Sequence, residues 1–445
     1  MAAHCCKARG LVRVSLSLSR CQSTVAIDLP QSHAKSMEEM PSPPVWPLLG
    51  HLPLMMKKES MHHMDKLFER LREEHGDIFK VCFPGQGPMV VLFRPEDIKT
   101  LYNSAGRLPH MASFDMFEFI RKTTMKDRYV TGGLINNGED WYQFRQKVQQ
   151  DMMRPKSALY YISDLEEIAT ELTEKIIEMQ DKDGVLDPYQ HLQEYALEAV
   201  GCIFMGTRLG AIQGKGDGKK LIENQTKLLD LLNTLFLYPT FIAPYVPVYK
   251  KFVKYNTESF DICKKYVDAA ISRVDDADDT VIAKLVRRCG KDSPIPLIMG
   301  IDALQVGIDT TGSTAAFLLY HLASNLGKQE LLHQEICRVV GPTGDLSEAA
   351  LGKMRYMKAC QTESQRLLPA VFGSSKRTDT ELVLGGYKIP QGTTVIRCGS
   401  STARDPANFT SPEKFLPERW LRGCPERHSA DSFANIPFGH GTRYG

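Results

Sequence analysis

Ser293 to Asn325 reads SPIPLIMGIDALQVGIDTTGSTAAFLLYHLASN, and the organisation of the whole chain turns on this stretch. Its outer parts, Leu297 to Val306 and Ala315 to Leu326, carry Leu, Ile, Met, Ala and Phe on nearly every face, which is the pattern of a helix buried all round. The middle breaks that pattern. Gly307, Asp309, Thr310, Thr311, Gly312, Ser313 and Thr314 weaken a helix through backbone entropy, β-branching and competing hydroxyl bonds, so a kink is expected there. An uncompensated carboxylate such as Asp309 is costly in an apolar interior and needs a partner, a proton or a water-lined cavity. A satisfied core aspartate at a kink is the plain account. The coincidence of an acid, hydroxyls and two glycines favours a functional one.

On either side of this stretch, the pattern from residue 150 to 340 is almost wholly helical. Leu192 to Met205, Lys220 to Phe236 and Phe252 to Val274 repeat at helical spacing, and Ser163 with Glu166 reads as a capping box opening another helix. The acidic cluster Asp275, Asp276, Asp278 and Asp279 reads as a solvated turn. Before that half, Asp65 to Glu74 predicts a helix with Leu67, Phe68 and Leu71 inward, and Ile78 to Phe83 with Met89 to Phe93 predict a hairpin around Pro84-Gly85-Gln86-Gly87. After it, Leu382 to Leu384 and Tyr387 to Ile389 flank a Gly385-Gly386 turn, and Thr393 to Ile396 adds a strand. The expected fold is mainly α with small β-sheets, an α+β arrangement.

Composition excludes several functions. The 445 residues are 42% hydrophobic and 24% charged, and 55 basic against 53 acidic residues leave a net charge of +2, so nothing points to nucleic acid. The 11 cysteines show no Cys-x-x-Cys spacing, which argues against a zinc or disulfide framework. Residues 1–35 are expected to be a transit peptide and disordered lead: Lys7, Arg9, Arg13 and Arg20 stand among serines, with no acid before Asp28. Pro41 to Pro53 then forms a stiff, extended segment, and residues 36–445 form a single domain.

Three polar groupings remain. Trp141 and Arg145 lie four apart, on one helix face, where an indole N–H and a guanidinium suit a shared anion, although an aromatic–arginine surface stack is the commoner outcome. Glu363 and Arg366, three apart on a helix, could form a surface pair; joined by Arg419 of FLPERW they would make a buried three-member lock. Lys353, Arg355 and Lys358 form a basic patch.

In order and approximate spacing, the Pro-rich segment, WYQFR, VGIDTT, ESQR, FLPERW and FGHGTR resemble the cytochrome P450 family of haem-thiolate monooxygenases, over about residues 38 to 445. With its transit-like start, the chain resembles the animal mitochondrial branch. The resemblance implies a helical fold around the long central helix, haem b as cofactor, a small apolar substrate of steroid-like or xenobiotic kind, and electrons from a ferredoxin docking at Lys353, Arg355 and Lys358. Thr362 departs from the second lysine often seen there. An association with the inner mitochondrial membrane surface is also implied.

Asp309 and Thr310 would be the catalytic pair that delivers protons to oxygen, with Val306 narrowing the pocket where the family has Ala or Gly. Trp141, Arg145 and Arg443 would hold the haem propionates, joined by Lys376 or Arg377; Phe438 and Gly441 belong to the haem loop. Glu363, Arg366 and Arg419 would be scaffold.

One departure matters more than the others. The family's loop is Phe-x-x-Gly-x-Arg-x-Cys-x-Gly, and Gly445 stands at its cysteine, so no metal ligand is assigned and haem binding is itself in question. Cys424 lies upstream in a Pro-flanked loop and is a poor substitute. The domain is therefore expected to be C-terminally incomplete, and the chain to be an inactive member of a monooxygenase lineage. The alternative is a non-enzymatic truncated form binding only ligand or ferredoxin; a helical lipid-binding protein is a third reading.

Overall fold

The computed structural model describes residues 34–55, 63–130, 132–152, 160–183, 187–341, 344, 346–425 and 431–443, so all but the last two residues of the expected leader lie outside it. After a single helical turn at Leu52–Met55 come helices α1 (Met64–His75), α2 (Pro95–Asn103), α3 (Asp115–Lys122), α4 (Gly138–Met152) and α5 (Ile162–Asp183). They are followed by α6 (Tyr189–Met205), α7 (Gly218–Leu235), α8 (Pro247–Arg273), α9 (Val281–Cys289) and α10 (Pro294–Ala323). The last are α11 (Leu326–Val340), α12 (Glu348–Lys353), α13 (Arg355–Leu367) and α14 (Gly399–Ala403).

The strands are β1 (Lys35–Ser36), β2 (Ile78–Val81), β3 (Met89–Leu92), β4 (Ser374–Arg377), β5 (Leu382–Leu384), β6 (Tyr387–Ile389) and β7 (Thr394–Arg397). They form two small mixed sheets, ordered β2-β3-β7-β4 and β1-β6-β5. Both expected hairpins are present as antiparallel pairs. Gly385 and Gly386 take φ of 56° and 83°, the left-handed values that a two-residue turn matched to strand twist requires. Ser163, read from sequence as a cap, instead lies inside the first turn of α5.

Helix α10 is the stretch from which the reading began. Ser293 caps it by accepting a hydrogen bond from the Ile295 amide, and Pro294 starts it. The helix is continuous through Gly307 to Thr314. The Thr310 and Thr314 hydroxyls donate to the carbonyls of Val306 (2.9 Å) and Thr310 (2.7 Å), so they satisfy themselves without breaking the ladder.

The glycines answer to packing. A Cβ on Gly300 would meet Val267 of α8 at 2.8 Å, one on Gly307 would meet Val200 of α6 at 2.6 Å, and one on Gly312 would meet Gln193 of α6 at 3.0 Å. Small residues therefore let two helices approach the α10 backbone. Around this crossing Ile298, Met299, Leu304 and Ile308 pack with Leu197, Leu221, Phe260, Val267 and Ile282 in the principal core. Each such buried side chain contributes ~1.5–3 kcal/mol.

Candidate functional site

The two residues expected to act together lie on different faces of α10. Successive helical residues are turned by about 100°. Asp309 consequently faces α6 and is buried, whereas Thr310 lies on an exposed face with Val306, which is 50% exposed. The Gln193 side-chain amide donates to Asp309 Oδ1 (2.6 Å) and also approaches Thr226 Oγ1 (3.4 Å). Tyr189 and Ser313 share a hydroxyl hydrogen bond of 3.3 Å beside it. Burial pushes the Asp309 carboxyl above its ordinary pKa, and hydrogen bonds from Gln193 and Tyr189 partly offset that. The partner that sequence reasoning required for Asp309 is thus a neutral amide from the next helix.

A second carboxylate in the same stretch escaped the sequence reading. Asp302, two turns before Asp309, is 1% exposed and paired with Arg121 of α3, which is itself buried. Asp302 Oδ2 also accepts from the Leu134 amide (2.9 Å), and the Arg121 guanidinium lies 4.1 Å from the Tyr129 ring centroid. Gly133 fits only because it lacks a Cβ, which would strike both charged groups. The pair therefore ties α3 and the loop before α4 to the central helix. Its signal in the sequence was an acid within an apolar run, for which a partner 181 positions away cannot be guessed.

The same loop holds the arginine expected near the haem. Arg443 donates to the carbonyl oxygens of Pro109 (3.2 Å), Leu134 (3.1 Å) and Asn136 (2.6 Å), and to Asn137 Oδ1 (2.8 Å). Its guanidinium lies 4.8 Å from the ring of Trp141, which is 2% exposed on α4. Burial lowers the Arg443 pKa to about 10, with Glu118 raising it and Arg145 lowering it further. Arg145 is half-buried and is likewise lowered by burial. Trp141, Arg145 and Arg443 thus belong to one neighbourhood, as expected, but Arg443 commits its terminal nitrogens to the loop.

Strand β4 points Lys376 and Arg377 to opposite sides. Arg377 turns outward into an ion pair with Asp115 (2.7 Å). Lys376 turns inward, is 5% exposed, and places its ammonium 3.9 Å from the Tyr102 ring centroid. Burial lowers its pKa to about 8; Asp379 raises it, and Arg443 and Arg397 lower it. Arg397 is a further cation that sequence reasoning missed. It is 5% exposed at the end of β7, bonded to Ser374 Oγ (3.4 Å) and the Ile436 carbonyl (3.3 Å). The loop beside it contains Phe438, which is 53% exposed, and Gly441 with φ of 87°, a value that favours glycine. Gly445 lies outside the described residues.

The scaffold lock forms in full. Glu363 and Arg366 are both fully buried and Arg419 is 2% exposed. Arg366 grips Glu363 with two parallel bonds of 2.9 Å, Arg419 Nε adds one of 3.0 Å, and the Leu416 amide and the Trp420 indole N–H also donate to the carboxylate. The remaining guanidinium donors go to backbone, including the Ala403, Thr410 and Ser411 carbonyls. Burial opposes charge on Glu363, but Arg366, the Leu416 amide and Arg419 outweigh it and hold the carboxyl below its ordinary pKa.

Beside this lock His321 stacks on Phe415 with ring centroids 5.0 Å apart, and its Nε2 is buried without a hydrogen bond. Burial lowers its pKa from 6.5, Glu363 raises it and Arg366 lowers it. A depressed histidine pKa means that the unfolded chain takes up the proton first, so stability falls as pH drops below about 6.5. The Glu363 contribution has a lower window: it is present above the carboxyl's unfolded pKa and is lost as pH falls through the folded value. His321→Phe is expected to flatten the decline between about pH 6.5 and 5 in urea unfolding, with little change at about pH 8. An unaltered slope would refute this role for His321.

Lys353, Arg355 and Lys358 are exposed where α12 meets α13. Glu335 fixes that corner by accepting from the Tyr356 (2.8 Å) and Met357 (2.9 Å) amides. The cations are therefore displayed from a rigid helix start.

Residues 40–444 match the family model for cytochrome P450. The chain is 30% identical to cytochrome P450 CYP12A2 of Musca domestica, across 95% of this chain and 84% of that protein. It is 29% identical to probable cytochrome P450 49a1 of Drosophila melanogaster, across 93% and 75%. Probable cytochrome P450 12a5, mitochondrial, of the same fly is 28% identical across 92% and 82%.

Proposed function

Because the chain belongs to the cytochrome P450 family, whose members bind haem, we propose that it derives from a mitochondrial, ferredoxin-driven monooxygenase of apolar small molecules and lacks thiolate chemistry. The observation that carries this reading is a mismatch within one site. Val306 and Thr310, exposed on α10, and the inward cations Lys376 and Arg397 are of the chemical kinds that the ring and carboxylates of haem would need. At the position of the iron ligand, two residues after Arg443, Gly445 has no side chain to offer.

Bound through a thiolate, haem supplies oxygen activation for hydroxylation. The residues of this chain have definable parts in such chemistry. Asp309, with its pKa raised by burial, holds a proton more readily than an exposed acid, and Gln193 fixes its Oδ1. Thr310 presents its hydroxyl on the open face. The exposed Lys353, Arg355 and Lys358 would meet an acidic ferredoxin through charge complementarity.

An apolar tip suits a membrane surface. Trp46, Leu48, Phe241 and Tyr245 are all more than half exposed, and a Cβ at Gly85 would meet Pro239 and Phe241. No described helix is long and apolar enough to cross a membrane.

The deciding experiment supplies the 445-residue chain with haem, reduces it under carbon monoxide, and assays it with ferredoxin. The expected result is no thiolate-type spectrum and no hydroxylation of a steroid panel. A thiolate-type spectrum with turnover would overturn the proposal.

A further inference from the structure

A cavity of about 370 Å³ opens between the end of α3, the loop before α4, α4 itself and the start of α10. That volume falls within the ~300–1,000 Å³ typical of small-molecule sites. It lies apart from the residues assigned to haem. Successive helical residues turn by about 100°, so Asp140, Phe144 and Lys147, which line it, stand about 60–120° around α4 from Trp141. Ile295, which lines it from α10, precedes Thr310 by about four turns, or ~22 Å along the helix.

We propose that this cavity is a binding site for a small, uncharged aromatic molecule bearing one O–H or N–H donor, of phenol or indole kind, with Asn136 as the residue that recognises the donor. The site needs neither haem nor an iron ligand.

Asn136 gives the first reason. Its side chain lines the cavity, is 3% exposed, and leaves Oδ1 without a hydrogen-bond partner among the described residues. A buried acceptor without a partner is unfavourable, and an incoming donor relieves it. The backbone at this residue is already committed: its carbonyl accepts from Arg443 (2.6 Å) and its amide donates to the Gly133 carbonyl (3.3 Å). The unused acceptor is therefore held in place at the cavity.

The walls give the second. Tyr129, Phe144 and Ile295 are buried side chains that line the cavity, and Val130, which lines it too, is 65% exposed. An apolar body laid there removes that surface from water, and the two rings suit an aromatic partner.

Charge gives the third. Lys122 bridges Glu118 (2.8 Å) and Asp140 (2.9 Å), Arg107 meets Glu139 (3.3 Å), and Arg121 is paired with Asp302. Lys147 is exposed, so water solvates its charge. Acids and cations around the cavity therefore cancel locally. Neither an anion nor a cation finds an unpaired buried counter-charge there, and a neutral occupant is favoured.

The test titrates the full chain with β-naphthol and with its methyl ether by calorimetry, and locates the bound probe by amide hydrogen exchange. The ether keeps the ring and loses the donor. β-Naphthol is expected to bind saturably, and the ether at least about tenfold more weakly. Exchange should slow across residues 132–147 and not around Thr310. Asn136→Leu keeps a branched side chain and removes the acceptor, so it should bring β-naphthol to within about threefold of the ether. If that variant fails to fold, the two probes on the unaltered chain still decide. Equal affinity of the two probes, which would mean that water satisfies Asn136, overturns the proposal. So does the absence of saturable binding, or protection confined to the exposed face around Val306 and Thr310.

Discussion

Glu363→Ala is expected to abolish cooperative folding of this chain. The substitution strands Arg366 and Arg419, two guanidinium groups with at most 2% exposure, in a place where water cannot replace the carboxylate. Breaking a buried pair by removing one partner costs ~3–5 kcal/mol, and here a single carboxylate serves two arginines, a backbone amide and an indole. Against a total stability of about 5–15 kcal/mol for ordinary domains, that loss removes most of the margin. Glu363→Gln keeps the shape and one acceptor oxygen, so it should retain a transition at a clearly lower urea midpoint. The measurement is urea unfolding followed by circular dichroism. An unfolding free energy for the alanine variant within about 0.5 kcal/mol of the parent would show that the lock carries no stability.

Arg121→Met should be nearly as damaging, again by ~3–5 kcal/mol, because Asp302 is then left charged and 1% exposed inside the core. The Leu134 amide would be its remaining described donor. The control is the double replacement Arg121→Met with Asp302→Leu. Exchanging a buried pair for apolar residues of similar volume is often neutral or stabilising, so the double variant should recover most of the loss. Additive losses in the double variant would mean that packing, not charge pairing, sets the cost.

The double variant also separates stability from positioning. Asp302 accepts from Leu134, and the Leu134 carbonyl accepts from Arg443, so the pair on α10 anchors the loop that holds Arg443. A double variant with parental stability but altered haem affinity would show that anchoring directly.

Several site residues were legible in the chain because their spacing is local. Trp141 and Arg145 share a face of α4 by helical period, and the Gly385-Gly386 turn needs two positive φ values that few other residues tolerate. Glu363 with Arg366 was visible as a pair; its burial was not, because an identical pattern occurs on solvated helices. Lys376 and Arg377 could not be separated from the sequence, since alternation fixes that neighbours point oppositely but not which of them points inward. Arg397 gave almost no signal, as one cation ending an apolar strand usually reaches solvent.

By itself the sequence determined the helical class, the central buried helix, the hairpins and the order of motifs that the family match then bore out. All of these rest on periodicity and short-range turn chemistry, which one chain carries within a few residues. Only the tertiary structure decided why α10 contains glycines, that it stays helical through Gly307 to Thr314, that Asp309 meets Gln193 and not Thr310, and that Asp302 meets Arg121. Those outcomes depend on which helix crosses which, and a crossing is fixed by side-chain shape and charge on segments far apart in sequence. The stretch that announced a functional helix was read correctly as buried, but the reason for its small residues lay in its neighbours.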